Sequence, residues 1–151
     1  MILTKSTVNI RKVIKTSMEV ISPLITQKKG QVKCDAKFSN DVPELILADE
    51  LRLKQVLLNL LSNAIKFTQR GTIAVSCSIT WAEELAKTMN KDRMFINPAK
   101  SDKKYLKLEI EDSGRGISPD EVELIFSAFE QVRTYPYMAI HLTRGFSETI
   151  F

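Results

Sequence analysis

The sequence predicts an α+β domain in which helices lie on a sheet. Three observations predict it. The stretch Asp49–Phe67 places Leu53, Val56, Leu57, Leu60, Leu61, Ala64, Ile65 and Phe67 on one side of a helix turning about 100° per residue. That apolar arc is broad enough for a core helix against a sheet. Ile10, Val13, Ile14, Ile21 and Ile25 repeat the helical spacing earlier in the chain. Residues 32–38, 72–80 and 105–112 alternate apolar with polar, the period of a strand with one buried face.

Taken in order, the first helix has Asn9 as its cap, with Val8 placed to staple against it. Pro23 has no N–H to give to Glu19, which predicts a kink or an end near it. Lys28-Lys29-Gly30 reads as a C-terminal cap, with basic residues at the negative end of the helix dipole. Val32, Cys34, Ala36 and Phe38 mark a strand, Ser39 to Pro43 a turn, and Leu45 to Leu47 a short strand. Asp49 caps the second helix, which ends near Thr68-Gln69-Arg70-Gly71. Ile73, Val75, Cys77 and Ile79 face one side of the next strand. From Trp81 to Lys103 the pattern fails, and the stretch reads as a long connection or insertion with one short helical segment, Ala82–Thr88. Leu106, Leu108 and Ile110 resume the alternation, which runs straight into Asp112-Ser113-Gly114-Arg115-Gly116-Ile117. Ser118, Pro119 and Glu121 then form a helix start with a capping box, followed by Val122, Ile125, Phe126 and Phe129 at helical spacing. After Gln131 no period is found.

The bulk numbers narrow the function classes. A chain of 151 residues, 44% hydrophobic and 26% charged, fits one globular domain with a real core. No run of about 18 apolar residues exists to span a membrane, and the N-terminus carries no secretory apolar stretch. The net charge of +4 is spread among acids, with no basic face of the kind that binds nucleic acid. Cys34 and Cys77 lie far apart, both on apolar strand phases, as expected of buried reduced thiols in the cytosol. One histidine, His141, argues against a histidine metal site.

Two features carry chemistry. On the second helix Arg52, Gln55, Asn59, Ser62, Asn63 and Lys66 form a polar stripe opposite the apolar arc. A solvated face would more often pair Glu with Lys one turn apart; here two amides and a lysine stand without carboxylate partners at that spacing. Asparagine oxygens suit Mg²⁺ carrying triphosphate oxygens, and Lys66 could neutralise a phosphate. Phe67 could pack on a purine or belong to the core. The second feature is the Asp112–Ile117 loop. A carboxylate at a strand end can accept from an exocyclic amine such as that of adenine, and glycines let backbone approach a flat ligand. The same residues also make an ordinary strand-to-helix turn.

At this point the motifs reach a family. ADELRLKQVLLNLLSNAIKFTQRGTI resembles the N box of the histidine-kinase ATP-binding domain, of the GHKL superfamily (gyrase, heat-shock protein 90, histidine kinase, MutL). LEIEDSGRGISPDEVELIFSAFEQV resembles its first glycine box and F box, and the stretch from Asn9 to Asp49 is similar to the segment leading into the domain in hybrid sensor kinases. The resemblance covers Val8 to about Val132 apart from Trp81–Lys103. It implies a Bergerat-type two-layer α/β sandwich, helices on one face of a mixed sheet, over residues 1–132. It implies ATP and Mg²⁺ as cofactors: Asn63 on Mg²⁺ with Asn59 supporting, Lys66 at the phosphates, and Phe67 lining the pocket. Asp112 would bond the adenine amine, Gly114, Gly116 and Ile117 would shape the adenine pocket, and Phe126 and Phe129 would anchor a lid. It further implies two-component signalling, in which the γ-phosphoryl group passes to a histidine on a dimerising helical hairpin and then to a receiver domain. The setting would be cytoplasmic, whether or not the parent kinase is membrane-bound.

The chain also departs from the family. Where a second glycine box of the form GxGLGL is expected, residues 133–151 read RTYPYMAIHLTRGFSETIF, with Gly145 as the single glycine. The expectation is a divergent tail in place of the lid, a fold incomplete at the C-terminus and an unpaired sheet edge. His141 is followed by Leu142, unlike the phosphoacceptor motif, so the chain is not expected to autophosphorylate alone. Two functions follow: an ATP-binding catalytic domain or fragment of a sensor histidine kinase, or a nucleotide-binding module without catalysis. An ATPase of the chaperone or MutL type fits the NLLSNAIKFT and FSAFEQ stretches less well.

Overall fold

The computed structural model describes residues 5–84 and 104–116, and the backbone of 140–143 and 147–150. The order is β1 (Ser6–Asn9), α1 (Ile10–Gln27), β2 (Val32–Phe38), β3 (Leu45–Ala48), α2 (Glu50–Phe67), β4 (Gly71–Trp81), β5 (Lys104–Asp112), β6 (Ile140–Thr143) and β7 (Ser147–Ile150).

Both helix caps are where the residue types put them. The Asn9 side chain accepts from the Lys12 N–H at 3.0 Å, and that of Asp49 from the Arg52 N–H at 3.2 Å. Each satisfies an orphan donor of a first turn. Pro23 does not end α1, which runs on to Gln27. The carbonyl that Pro23 cannot serve belongs to Glu19, an exposed residue that water can reach. The helix stops instead at Lys28, whose N–H bonds back to Ile25, and Lys29 and Gly30 follow in left-handed conformations.

Five strands form a mixed sheet in the order β2-β4-β5-β7-β6, parallel between β2 and β4 and antiparallel elsewhere. The parallel pair needs a crossover, and α2 lies within it. Register sets the buried face. Ala36, Val75 and Ile110 lie abreast, as do Phe38, Cys77 and Leu108. Against this face pack Ile10, Val13, Ile14 and Ile21 of α1 and Leu53, Leu57, Leu60, Leu61, Ala64 and Ile65 of α2. Leu57 and Leu61 are wholly buried, each worth about 1.5–3 kcal/mol over an exposed leucine. The opposite face of the sheet is polar, with Lys33, Asp35 and Lys37 exposed and a Lys107–Glu109 ion pair across β5. The chain is therefore helices on one face of a mixed sheet, as expected.

Three details differ from the sequence reading. β1 was not expected; it pairs antiparallel with β3 as a separate two-stranded sheet beside the start of α1. Its residues Ser6, Thr7, Val8 and Asn9 carry a single apolar side chain, so no strand pattern shows. Trp81, expected in the connection, is the last residue of β4 and pairs with Lys104, whose ammonium lies 4.8 Å from the indole. Finally, β5 is not left as an unpaired edge, because β7 pairs with it from Leu108 to Glu111.

Candidate functional site

The end of α2 and the end of β5 meet at one corner of the sandwich. Antiparallel pairing sets Asp112 beside Ile73, at the start of β4. Asp112 is two residues beyond buried Ile110, so the pleat turns its carboxylate toward the helix layer. What it meets there is Thr68, the residue that ends α2.

Thr68 is wholly buried and leaves the helix with extended backbone. Its N–H closes the last helical turn on Ala64. Its hydroxyl donates to Asp112 Oδ1 at 3.3 Å, and the Gly114 N–H donates to the same oxygen at 2.8 Å. No described residue donates to Oδ2. Thr68 is absent from the sequence-derived set, where it reads only as the start of a turn. A β-branched hydroxyl after a helix has no signal of its own until the partner aspartate, 44 positions on, is folded beside it.

The loop after Asp112 is pinned on both sides. Ser113 donates its N–H to the Thr72 carbonyl at 3.0 Å, and its Oγ accepts from the Thr72 N–H at 2.8 Å. Gly71, at φ +126°, leaves the room that the Ser113 hydroxyl occupies. Gly114 faces helix α2 itself. A Cβ there would lie 2.6 Å from Asp112 Oδ1 and 2.7 Å from the Phe67 carbonyl oxygen. This glycine is needed for approach to the protein's own helix end. Gly116, at φ +78°, uses the left-handed region.

Phe67 is not a core residue. Its side chain is 41% exposed, although Ala64 and Ile65 in the same turn are buried. The Lys66 ammonium lies 5.2 Å and the Arg115 guanidinium 5.7 Å from its ring centroid, both within cation–π range. Lys66, Phe67, Thr68, Asp112, Gly114 and Arg115 are thus brought together. Asn59 and Asn63 are exposed on α2, two turns and one turn before the same corner. Among the described residues neither side-chain amide has a protein partner; the Asn59 main-chain carbonyl accepts from the Ser62 hydroxyl at 2.9 Å. Amide oxygens free of protein partners are the donor type that Mg²⁺ accepts, and this ion commonly takes one or two protein ligands and fills the rest with phosphate and water. Among the described residues no group of three or more His, Cys, Asp and Glu forms a cage of its own. Ile117, Phe126 and Phe129 lie outside the described residues, as does the side chain of His141.

Two clefts lie elsewhere. One of about 620 Å³ is lined by Arg11, Lys15, Glu19 and Glu44, and one of about 270 Å³ by Thr7, Leu45, Glu50 and Lys54. Both run along α1. Their walls hold none of the residues at the α2–β5 corner. The corner is an open surface, and its chemistry, not its volume, marks it.

The profile of the family described as histidine kinase-, DNA gyrase B-, and HSP90-like ATPase matches residues 48–145. The chain belongs to this family. Its match spans α2, β4 and β5, the elements that build the corner. A curated member of similar sequence is the sensor histidine kinase GacS of Pseudomonas protegens, 32% identical over 123 residues, which are 82% of this chain and 11% of GacS. The match therefore spans about a tenth of that relative's length. Among solved structures, full-length ShkA in complex with AMPPNP superposes with TM-score 0.65 at 23% identity, over 99% of this chain and 30% of ShkA. The catalytic domain of the histidine kinase ThkA superposes with TM-score 0.65 at 17% identity, over 97% of this chain and 92% of that domain. These likenesses establish the fold of a histidine-kinase ATPase domain. Among the described residues no helix is long and apolar enough to cross a membrane.

Proposed function

We propose that this ATPase-family domain binds Mg-ATP at the α2–β5 corner and presents the γ-phosphate to a histidine on a separate helical hairpin, in a phosphorelay that ends on a receiver domain. The observation that carries the reading is Asp112. One carboxylate oxygen is held by Thr68 and Gly114, and the other has no donor among the described residues. A fixed carboxylate with an open acceptor suits an exocyclic amine, and the charge makes that bond stronger than a neutral one. The exposed Phe67 ring offers a surface for a purine or ribose. Lys66 and Arg115 beside it favour an anionic ligand. Asn63, with Asn59 supporting, would hold Mg²⁺, which neutralises the triphosphate when bound. Gly116, and by resemblance Ile117, Phe126 and Phe129, would complete the pocket and its lid.

In such a site the protein does little covalent chemistry. Its residues hold the nucleotide in line with the acceptor, and Lys66 offsets phosphate charge. ShkA is known with AMPPNP, and ThkA in complex with the response regulator TrrA, which supports the nucleotide and the receiver as partners. A second reading, nucleotide binding without transfer, is favoured by one observation: residues 133–151 hold a single glycine, Gly145, where phosphate-cradling backbone would be rich in them.

Titration and a transfer assay together separate the two readings. With Mg²⁺ present, the first requires ATP to bind at least about tenfold tighter than adenosine, the gain of a held triphosphate. Equal affinities mean that only the adenine half works. Phosphohistidine on an added hairpin domain establishes the first reading; its absence despite tight ATP binding favours the second.

A further inference from the structure

We infer that Thr68 is a positioning residue that sets the orientation of Asp112 and thereby the selectivity for a 6-aminopurine; the inference rests on the adenine reading above. Three observations lead to it. Thr68 is the one wholly buried polar side chain on the path from α2 to β4. A buried hydroxyl needs a partner, and a threonine near a helix end often takes the carbonyl four residues back. Ser17 and Thr26 do so within α1, but Thr68, with extended backbone past the end of α2, does not. The hydroxyl instead crosses to β5 and donates to Asp112 Oδ1.

The consequence lies in the geometry of the carboxylate. An aspartate at a strand end can turn about two side-chain bonds, and its terminal torsion is broad. The Gly114 N–H alone fixes one oxygen at one point. It leaves the plane of the group free to swing about that contact. A second donor from a different element, 46 positions away from Gly114 and locked by burial, removes that freedom. Oδ1 is then committed to the protein, and Oδ2 is left as the acceptor for a ligand. A threonine suits this role, because its methyl group packs and stiffens the side-chain torsion while the hydroxyl reaches out.

The test compares ATP with purine riboside triphosphate, which lacks the 6-amino group, on the full chain. Wild type should prefer ATP by about tenfold or more, one charge-assisted hydrogen bond. Thr68→Val keeps the shape and removes the hydroxyl, and should lower that preference about threefold or more while affinity for the amine-free analogue changes little. Thr68→Ser and Thr68→Ala both lose the methyl group and differ only in the hydroxyl. Serine should keep the preference and alanine should lose it, which also decides the matter if the valine variant does not fold. The inference is overturned if Asp112→Asn abolishes the preference while serine and alanine at position 68 give equal ratios. If Asp112→Asn also leaves the ratio unchanged, the adenine reading itself fails and the role of Thr68 falls with it.

Discussion

The Asp112 carboxylate is held in place by two neighbours. Thr68 and Gly114 occupy Oδ1, and Gly114 lies so close to the Phe67 carbonyl that no side chain fits. Gly114→Ala must therefore push the loop away from α2. We expect a loss of about 1–3 kcal/mol in urea unfolding, the usual range for overpacking, together with weaker nucleotide binding; unchanged values for both would contradict the close contact. At this scale the sequence was partly legible. The roles proposed for Asn59, Asn63 and Lys66 rest on what their stripe lacks, carboxylate partners at helical spacing, and that of Asp112 on its place at a strand end before glycines. Phe67 was ambiguous, since its place on the wheel assigns it to the apolar arc. A wheel gives the position about the axis and not what lies beside each turn, and the ring of Phe67, the last residue of α2, is 41% exposed. Thr68 was not legible at all, because its function is a contact between two distant segments.

Helix α2 carries the proposed site on one stripe and the core on the other. The cap at Asp49 and the buried arc were both readable, because each follows from local spacing. The two sides should respond differently to truncation. Leu61 is wholly buried, and Leu61→Ala should cost about 2–5 kcal/mol. Leu51, 77% exposed at the start of the same helix, should change stability by less than about 0.5 kcal/mol when cut to alanine. Chemical denaturation of the two variants checks this, and similar losses would mean that the helix packs in another rotation. Of the four-residue strands, β3 was readable from its apolar run, whereas β1, β6 and β7 were not, and these exist because other strands pair with them.

At the scale of the whole molecule, the sandwich buries Cys77 and half-buries Cys34, where the sequence reading expected both buried. Burial pushes the Cys34 and Cys77 thiols from 9.0 up to about 11, with Asp35 adding to the rise at Cys34; at Cys77, Arg11 opposes the rise and Asp41 adds to it. Between these values the unfolded chain has lost thiol protons that the folded chain keeps. This stabilising contribution is whole below about pH 9 and falls as pH climbs toward about 11. A variant with both cysteines replaced by alanine should show a shallower decline over that window in unfolding titrations; an equal slope would contradict the shielding. The α+β class and the helix-on-sheet layering were legible because alternation and helical spacing are local. The strand order was not, because the pairing of β7 with β5 joins segments with no shared pattern. The same long-range assembly makes the corner where α2 and β5 meet, and the account's central claim is that this corner recognises adenine through Asp112. The most direct measurement is the dissociation constant of Mg-ATP for the wild-type chain and for Asp112→Asn, with thermal unfolding as a control for folding. The account predicts a loss of at least about tenfold with the fold retained. Equal affinities for two equally folded chains would contradict it.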